Sequence, residues 1–341
     1  MLCAVSHVFL QSIYNGEKDH IDFINQAFSL YSVANILHLD IWPSGLKYES
    51  EIISMTASLV NGGDDGVCGC TTSGGTESII LAIKAHRDYY RQKHGITQPE
   101  MIKCMSGHPA VDKACDLLGV KLVKVPMRTD TYAVDVQCVT NCITSNTIMI
   151  YSSAPTYPQG VIDPVTELAA IATYYDIGLH VDCCLGGFVL PFAKKLGYDI
   201  PEFDFGVKGV TVSQFSPVFC AFNCPHVCSF LSDVLCLSAG QSMSVDTHKF
   251  GYALKGTSVL LFRHQELRRA QYFCFPDWPG GFYTTATIAG SRSGGMVAQT
   301  WASLVTIGEE GYMKHTKGIM DTAQAIAKGI TEEIPALCCL G

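Results

Sequence analysis

Lys249 ends a run of residues that could support chemistry on its side-chain amine, Ser244-Val-Asp-Thr-His-Lys249. A lysine at a strand end, among hydroxyl, carboxylate and imidazole groups, can form an imine with an aldehyde cofactor if its amine is kept partly neutral. A lone lysine is more often a solvated surface residue. The neighbouring groups favour the catalytic interpretation, and we predict that Lys249 binds such a cofactor.

A glycine-rich run, Thr72-Ser-Gly-Gly-Thr-Glu-Ser78, precedes a strong helical pattern. The free N–H groups and the dipole at a helix N-terminus favour a phosphate. Serine and threonine are also ordinary N-cap residues, so the run alone indicates only the start of a helix. Taken together with Lys249, it predicts a cradle for the phosphate of the same cofactor.

Asp182 ends the apolar run Gly178-Leu-His-Val-Asp182, with no evident cation nearby. A buried carboxylate needs a positive partner, and a protonated pyridine nitrogen would supply one while the carboxylate keeps that ring an electron sink. The alternative is a helix-capping aspartate before Cys183-Cys-Leu-Gly-Gly187. His108, where a predicted strand gives way to a helix, could stack on such a ring or could be an ordinary loop histidine.

A sheet has to position these residues, and residues 66 to 190 predict one, because short apolar runs alternate there with helical stretches. Ligands of such sheets bind beyond the carboxyl ends of the strands. The sequence therefore predicts an α/β fold with a mostly parallel sheet flanked by helices. The predicted strands are Ile102–Met105, Lys121–Val125, Thr147–Ser152 and Leu179–Asp182, and the predicted helices are Thr76–Arg91, Pro109–Leu118 and Pro164–Tyr175.

The composition is that of a globular protein with one main domain: 341 residues, 48 % hydrophobic and 16 % charged. The net charge of −8 comes without a cluster of basic residues, which indicates small-molecule partners and no nucleic acid. The sixteen cysteines are expected to be reduced thiols. The sequence has neither a clear signal peptide nor an apolar run of about 20 residues, so we expect a cytosolic chain without a membrane anchor.

Four motifs stand in one order along the chain: residues 72–78, His108, residues 180–187 and residues 246–249. Together they resemble the group II pyridoxal-phosphate (PLP)-dependent decarboxylase superfamily. Three further runs, Asn35–Pro43, Ser153–Pro164 and Asp277–Arg292, are similar to the sphingosine-1-phosphate lyases within it. The resemblance extends from about Tyr14 to Glu333, apart from Val212–Gln241.

The resemblance implies a type I PLP-dependent transferase-like fold, with active sites at a homodimer interface. It also implies retro-aldol cleavage of phosphorylated sphingoid bases to phosphoethanolamine and a long-chain aldehyde. By position, Lys249 would hold PLP, Asp182 would pair with the pyridinium and His108 would stack on the ring. The residues implied to hold the cofactor phosphate are Gly74, Gly75, Thr76, Ser244 and His248, with Gly290 and Ser291 reaching in from the partner subunit.

Tyr14, Asn35, His38 and Tyr283 match positions that line the substrate-phosphate and catalytic pocket of the family. Members of the family are anchored in the endoplasmic reticulum membrane with the catalytic domain facing the cytosol. We expect residues 1–65 to be an N-terminal segment that carries substrate-pocket motifs, and residues 66–310 to be the PLP-binding large domain. Residues 311–341 would begin a small C-terminal domain that is otherwise missing, so the chain is interpreted as truncated.

Residues 212–241 interrupt the resemblance. Without them, Lys208-Gly-Val-Thr211 would join Ser242 directly, restoring the family's continuous approach to Lys249. A retained intron would explain the segment, because a valine codon begins with GT, a glutamine codon can be CAG, and 30 residues preserve the frame. A zinc site at Cys220, Cys224, His226 and Cys228 is the alternative, but the spacing matches no common zinc pattern, and we expect no metal.

Two other functions stay open. The first is an amino-acid decarboxylase of the same superfamily, since the cofactor-binding residues would be shared. The second is a catalytically impaired splice product that at most binds the partner subunit.

Overall fold

The computed structural model describes residues 14, 16–38, 40–63, 66–207, 242–334 and 336. The segment 212–241, with its cysteine cluster, lies outside the described residues, so neither the intron nor the zinc hypothesis is tested. The nine cysteines that the structure describes are all free thiols.

A seven-stranded sheet forms the centre of the molecule, in the order β1-β7-β6-β5-β4-β2-β3. Neighbouring strands from β3 to β6 are parallel, and β7 is antiparallel to both β6 and β1. The strands are β1 Cys68–Thr72, β2 Glu100–Cys104, β3 Lys121–Val125, β4 Thr147–Ser153, β5 Gly178–Asp182, β6 Ser242–Val245 and β7 Ser258–Phe262. A small exposed hairpin adds β8 Phe273–Phe275 and β9 Tyr283–Thr285.

Helices cover the sheet, and the apolar side chains of the strands form the core between the layers. The helix α3 packs across β4 to β7, while α6 packs on β4 and β5. The helices are α1 Lys18–Leu30, α2 Pro43–Leu59, α3 Gly75–His94, α4 Ala110–Leu118, α5 Val136–Asn141, α6 Val165–Tyr174, α7 Leu190–Lys195, α8 Gln265–Arg269 and α9 Gly294–Glu333.

The predicted α/β class, the four predicted strands and the three predicted helices are confirmed within a few residues. The sequence did not predict β1 and β7. Both strands are fully or largely buried and short, so they lack the alternation that marks a half-exposed strand.

The long helix α9 is broken at Gly308, where φ is +60° and ψ is 179°. Its first half packs against α1 and α2, and Trp301 donates a hydrogen bond to Glu51 at 2.5 Å. The predicted domain boundary at residue 310/311 falls just after this break and stays a prediction. Within the described part of the chain, no helix combines the length and apolar character needed to cross a bilayer.

Candidate active site

Asp182 is the last residue of β5, at the carboxyl edge of the sheet. Its Oδ1 accepts hydrogen bonds from Ser244 Oγ at 3.1 Å and from Cys184 N at 3.0 Å, and its Oδ2 accepts one from the Tyr151 hydroxyl. Burial raises the pKa of Asp182, but the hydrogen bonds from Cys184 and Tyr151 outweigh burial and hold the pKa below its ordinary value. The carboxylate is therefore ionised at neutral pH, as a partner for a protonated ring nitrogen has to be.

Lys249 follows β6, and its Nζ lies 3.0 Å from Asp246 Oδ2. Burial lowers the pKa of Lys249, but Cys184, Asp246 and Asp182 outweigh burial and raise the pKa. Burial holds the pKa of the Cys184 thiol well above its ordinary value, so the two carboxylates supply the negative charge. In this structure the Lys249 amine is paired with Asp246, and a partly neutral amine stays the condition for imine formation.

The glycine-rich run forms a tight approach to the N-terminus of α3. Gly74 has a φ of +152°, which favours glycine, and a Cβ on Gly75 would lie 2.7 Å from Cys184 Sγ and 3.0 Å from Asp246 Oδ1. This Asp246 oxygen is buried and has no hydrogen-bond partner among the described residues. A surface lined by glycine at a helix N-terminus can bring backbone amides close to a phosphate. The geometry therefore fits a bound phosphate group.

Two adjoining cavities meet at His108, Asp182, Cys184 and Lys249. We call the first, of about 320 Å³, the cradle cavity; its other lining residues are Ser73, Gly74, Gly75, Thr76, Glu77, Ile79, Asp246 and His248. We call the second, of about 250 Å³, the tyrosine cavity; its other lining residues are Tyr14, Tyr151, Ser153, Pro155, Tyr157, Leu185 and Lys255.

His108 lies where β2 gives way to α4 and lines both cavities. Its Nδ1 accepts the backbone N–H of Ala110 at 3.1 Å, so the neutral ring carries its proton on Nε2. The buried Lys103 ammonium donates to the His108 carbonyl at 3.4 Å. These contacts orient the imidazole at the cavity wall, where a ring could stack on it.

His248 and Ser244 differ from each other in their placement. His248 lines the cradle cavity, with Nδ1 bonded to the Thr257 carbonyl and Nε2 3.6 Å from Asp246 Oδ2. Ser244 lines neither cavity. Its fully buried hydroxyl lies between His180 and Asp182, because its β6 position pairs directly with Asp182. The structure therefore places Ser244 as a support of the carboxylate and not in the cradle where it was expected.

A second group of expected site residues lies elsewhere on the chain. Asn35 Nδ2 donates to Ser291 Oγ at 3.0 Å, and the backbone of Gly290 lies so close to the Tyr283 hydroxyl that a Cβ there would be 2.8 Å from it. His38 is exposed in the same N-terminal turn as Asn35. These five residues, the second cluster, line neither the cradle cavity nor the tyrosine cavity.

Arg292 connects the second cluster to the sheet. Its guanidinium pairs with the buried Glu49 at 2.6 Å, and its backbone N–H donates to Asn35 Oδ1 at 3.2 Å. The same Glu49 accepts hydrogen bonds from the backbone and hydroxyl of Thr71, in the strand that leads into the cradle. The loop of the second cluster is therefore fixed to β1 by a buried ion pair.

Three residues of the site were missed in the sequence, and Asp246 was named there without a role of its own. Asp246 pairs with Lys249, Tyr151 bonds Asp182, and Tyr157 and Lys255 line the tyrosine cavity. Lys255 Nζ lies 4.8 Å from the ring centroid of Tyr14. Asp246 was visible in the motif before Lys249, whereas Lys255 had no signal of its own because an isolated lysine reads as a surface residue.

Four features together define a PLP enzyme of the type I fold: the parallel sheet, the lysine after β6, the ionised aspartate at the end of β5 and the glycine cradle. Residues 11–217 match the family model of the pyridoxal-dependent decarboxylase conserved domain. Because this match covers more than half of the chain, the chain belongs to the pyridoxal-dependent decarboxylase family. The matched residues end inside the segment 212–241.

Several named proteins are similar to this chain in sequence or in structure. A sphingosine-1-phosphate lyase of Dictyostelium discoideum is 46 % identical over 93 % of this chain, and the match covers 54 % of that relative. The solved structure of a Burkholderia pseudomallei sphingosine-1-phosphate lyase has a TM-score of 0.83 at 40 % identity, covering 94 % of this chain and 68 % of that one. A probable L-aspartate decarboxylase of Pyrococcus furiosus is 36 % identical over 92 % of this chain and 73 % of its own length. The chain spans about half the length of the sphingosine-1-phosphate lyases that it matches in sequence.

Proposed function

We propose that this chain carries the cofactor site of a PLP-dependent lyase that cleaves phosphorylated sphingoid bases between C2 and C3. The observation that carries the proposal is the meeting of Lys249, Asp182 and His108 where the cradle cavity joins the tyrosine cavity. The identities of 40–46 % to several sphingosine-1-phosphate lyases support this substrate class. The products would be phosphoethanolamine and a long-chain aldehyde.

When bound, PLP supplies an electron sink for the pair of electrons released as the C2–C3 bond breaks. The chain's own residues would prepare that step. The Lys249 amine would hold the cofactor aldehyde carbon, the Asp182 carboxylate would hold a proton on the ring nitrogen, and the His108 imidazole would stack on the ring. The amides of Gly74, Gly75 and Thr76 and the His248 imidazole would hold the cofactor phosphate.

The Asp246 carboxylate is placed to accept a proton from the Lys249 ammonium. The ammonium has to lose a proton before its nitrogen can bond to the cofactor, and Asp246 Oδ2 lies 3.0 Å away to accept it. Once the substrate amine displaces Lys249, the same nitrogen is free in the cavity. It could then take the C3 hydroxyl proton or return one to C2, which is a role we assign to Lys249 as a hypothesis.

The tyrosine cavity offers groups for the substrate phosphate. Lys255 is a second cation beside Lys249, and the Tyr14 and Tyr157 side chains line the same wall. Burial and the charge of Lys249 lower the pKa of Lys255. A bound phosphate would offset that repulsion, so binding of a dianion is favoured where two ammonium groups face one cavity.

We also propose a homodimer, in which the second cluster completes the partner's site. Its surroundings are exposed and apolar: Trp278, Phe282 and Ile288 are 52 %, 69 % and 60 % exposed. Large aromatic side chains grouped on a surface are typical of protein interfaces.

The family resemblance further suggests a location at the cytosolic face of the endoplasmic reticulum. It also suggests that residues 1–65, 66–310 and 311–341 form successive units of the chain.

The test is an assay of the purified chain, loaded with PLP, on a phosphorylated sphingoid base. Release of long-chain aldehyde and phosphoethanolamine in equal amounts is the expected result. The runner-up, an amino-acid decarboxylase, is favoured by the Pyrococcus furiosus relative, of which the chain covers a larger share. Carbon dioxide from aspartate, glutamate or aromatic amino acids without aldehyde from the lipid would establish that alternative. Cofactor binding without any turnover would indicate a catalytically impaired product.

A further inference from the structure

The charge of Asp182 is maintained without a cation within ion-pair distance. No ion pair joins Asp182 to a lysine, arginine or histidine among the residues that the structure describes. Instead, Ser244 and the Cys184 amide donate to Oδ1, and Tyr151 donates to Oδ2. Tyr151 therefore donates to Oδ2 and two groups donate to Oδ1, while the Cys184 thiol adds a further hydrogen bond to the carboxylate.

The register of the sheet explains why these groups meet. Tyr151 on β4 pairs with His180 on β5, and Ser244 on β6 pairs with Asp182. Alternate residues of neighbouring strands share a face, so Tyr151, His180, Asp182 and Ser244 form a polar row beneath α3. The Tyr151 ring stacks on His180 at a centroid distance of 5.9 Å, which directs its hydroxyl along the row.

The hydrogen bonds of this row run in one direction. The Ser244 hydroxyl donates its hydrogen bond to Asp182, so Ser244 Oγ accepts one from His180 Nε2 at 3.1 Å. His180 Nδ1 is then unprotonated and accepts from Ser242 Oγ at 2.9 Å. Burial lowers the pKa of His180 to about 3, so the imidazole stays neutral. Every donor in the row points toward the carboxylate.

One proton lies between a buried carboxyl group and the ring nitrogen beside it. It can sit on the nitrogen, which gives a carboxylate and a protonated ring, or on the oxygen, which gives a carboxylic acid and a neutral ring. Donors to the carboxylate favour the first pair, because they stabilise negative charge on oxygen. We propose that Tyr151 is a positioning residue that keeps the cofactor ring nitrogen protonated by donating to Asp182 Oδ2. This inference deepens the proposed function and depends on PLP binding, but not on which substrate is cleaved.

Tyr151 is suited to this role because it cannot ionise in its place. Burial and the charge of Asp182 raise its pKa well above the ordinary value, so the hydroxyl remains a donor. Its ring also lies close to Gly107, where a Cβ would be 3.0 Å from Tyr151 Cε1. A phenylalanine would keep this packing and remove the hydroxyl, with its hydrogen bonds to Asp182 and Ser153.

The experiment compares Tyr151→Phe with the unchanged chain in binding two probes, PLP and a PLP analogue with carbon in place of the ring nitrogen. We expect the dissociation constant for PLP to rise roughly 10-fold and that for the analogue to stay unchanged, since only PLP has a ring nitrogen whose proton pairs with the Asp182 carboxylate. The ¹⁵N resonance of PLP labelled at the ring nitrogen should move toward the value of the neutral ring. Tyr90→Phe is the matched control, because Tyr90 is fully buried but lines neither cavity.

Equal weakening of both probes, or no change in the ¹⁵N resonance, would overturn the proposal and leave Tyr151 as a packing residue. Ser244→Ala tests the same row from the Oδ1 side and should shift the resonance less, because the Cys184 amide still donates. In an Asp182→Asn background, Tyr151→Phe should change PLP affinity no further. A protonated ring in a chain that releases no aldehyde would refute the proposed substrate while supporting the role of Tyr151.

Discussion

The polar row around Asp182 and the second cluster around Asn35 differ in how complete they are within one subunit. Asp182 is 8 % exposed, and both of its oxygens have donors from the same chain. His38 and Ser291 are exposed, and Tyr283 belongs to the hairpin, which carries exposed aromatic side chains. The sheet therefore completes the cofactor side of the site, whereas the second cluster faces outward.

This difference shows which residues can be assigned from a single subunit. Residues at strand ends converge because parallel strands end at one edge, and no partner is needed to bring them together. Residues of a surface loop converge on a site only if another surface covers them.

The largest effect is expected for Lys249→Ala. Without the amine, the cofactor has no covalent anchor, so the visible absorbance of lysine-bound cofactor should disappear and kcat should fall by roughly 10³-fold or more. Absorbance and aldehyde release measure the two effects. Lys255→Ala is the matched control, since it should retain the absorbance and raise KM for the phosphorylated substrate. Normal absorbance in Lys249→Ala would refute the assignment of the lysine.

Mixed dimers test whether the second cluster serves the partner's cavity. Lys249→Ala and Asn35→Ala chains should each be nearly inactive alone, because each lacks one half of every site. After mixing and reassociation, roughly a quarter of the wild-type activity should return, since half of the dimers are mixed and each has one intact site. Absence of recovery in mixtures that demonstrably contain mixed dimers would place Asn35 and Lys249 in the same subunit's site.

Removal of residues 212–241 tests whether this segment lowers the stability of the folded chain or its affinity for PLP. The connection between Val207 and Ser242 is 34 residues long, and the deletion leaves four. By chain entropy alone, this shortening should stabilise the folded chain by about 2 kcal/mol. Urea unfolding and PLP titration of both forms provide the measurement. A deletion variant that unfolds more readily or loses PLP would show that the segment belongs to the structure. The origin of the segment is tested separately by sequencing transcripts: mature messenger RNAs that all contain its 90 nucleotides would count against a retained intron.

The smallest effect is a pH dependence of stability. Burial lowers the pKa of His86 to about 4 and that of His180 to about 3, from 6.5. The unfolded chain therefore binds protons that the folded chain does not, and the stability present above pH 6.5 is lost as the pH falls. Burial raises the pKa of Asp163 to about 6, which acts in the opposite sense, because the folded chain there binds the extra proton.

Between pH 6 and 5 each such histidine contributes a loss of about 1.4 kcal/mol per pH unit in the free energy of unfolding, and Asp163 offsets the contribution of one of them. Urea titrations at several pH values measure this slope. In His86→Gln the slope should fall by about 1.4 kcal/mol per pH unit, the contribution of His86. An unchanged slope in that variant would show that His86 is not the source.

The sequence alone was sufficient for the α/β class, four strands and three helices, and it proposed Lys249 as the cofactor lysine. These depend on local patterns: apolar runs, glycines before a helix, and a short motif around Lys249. It was also sufficient to mark Asp182, because a carboxylate at the end of an apolar strand implies a buried charge. The second cluster was named from resemblance, and its place in a working site is still a prediction.

Only the tertiary structure decided what surrounds those residues. The pairing of β5 with β4 and β6 placed Tyr151 and Ser244 on the two oxygens of Asp182, and it moved Ser244 out of the cradle. The pairing of β1 with β7, together with the buried ion pair between Arg292 and Glu49, fixed the loop of the second cluster to the sheet. Charge states and hydrogen-bond partners depend on distances between segments far apart in the chain, and the register of a sheet sets those distances only when it has formed.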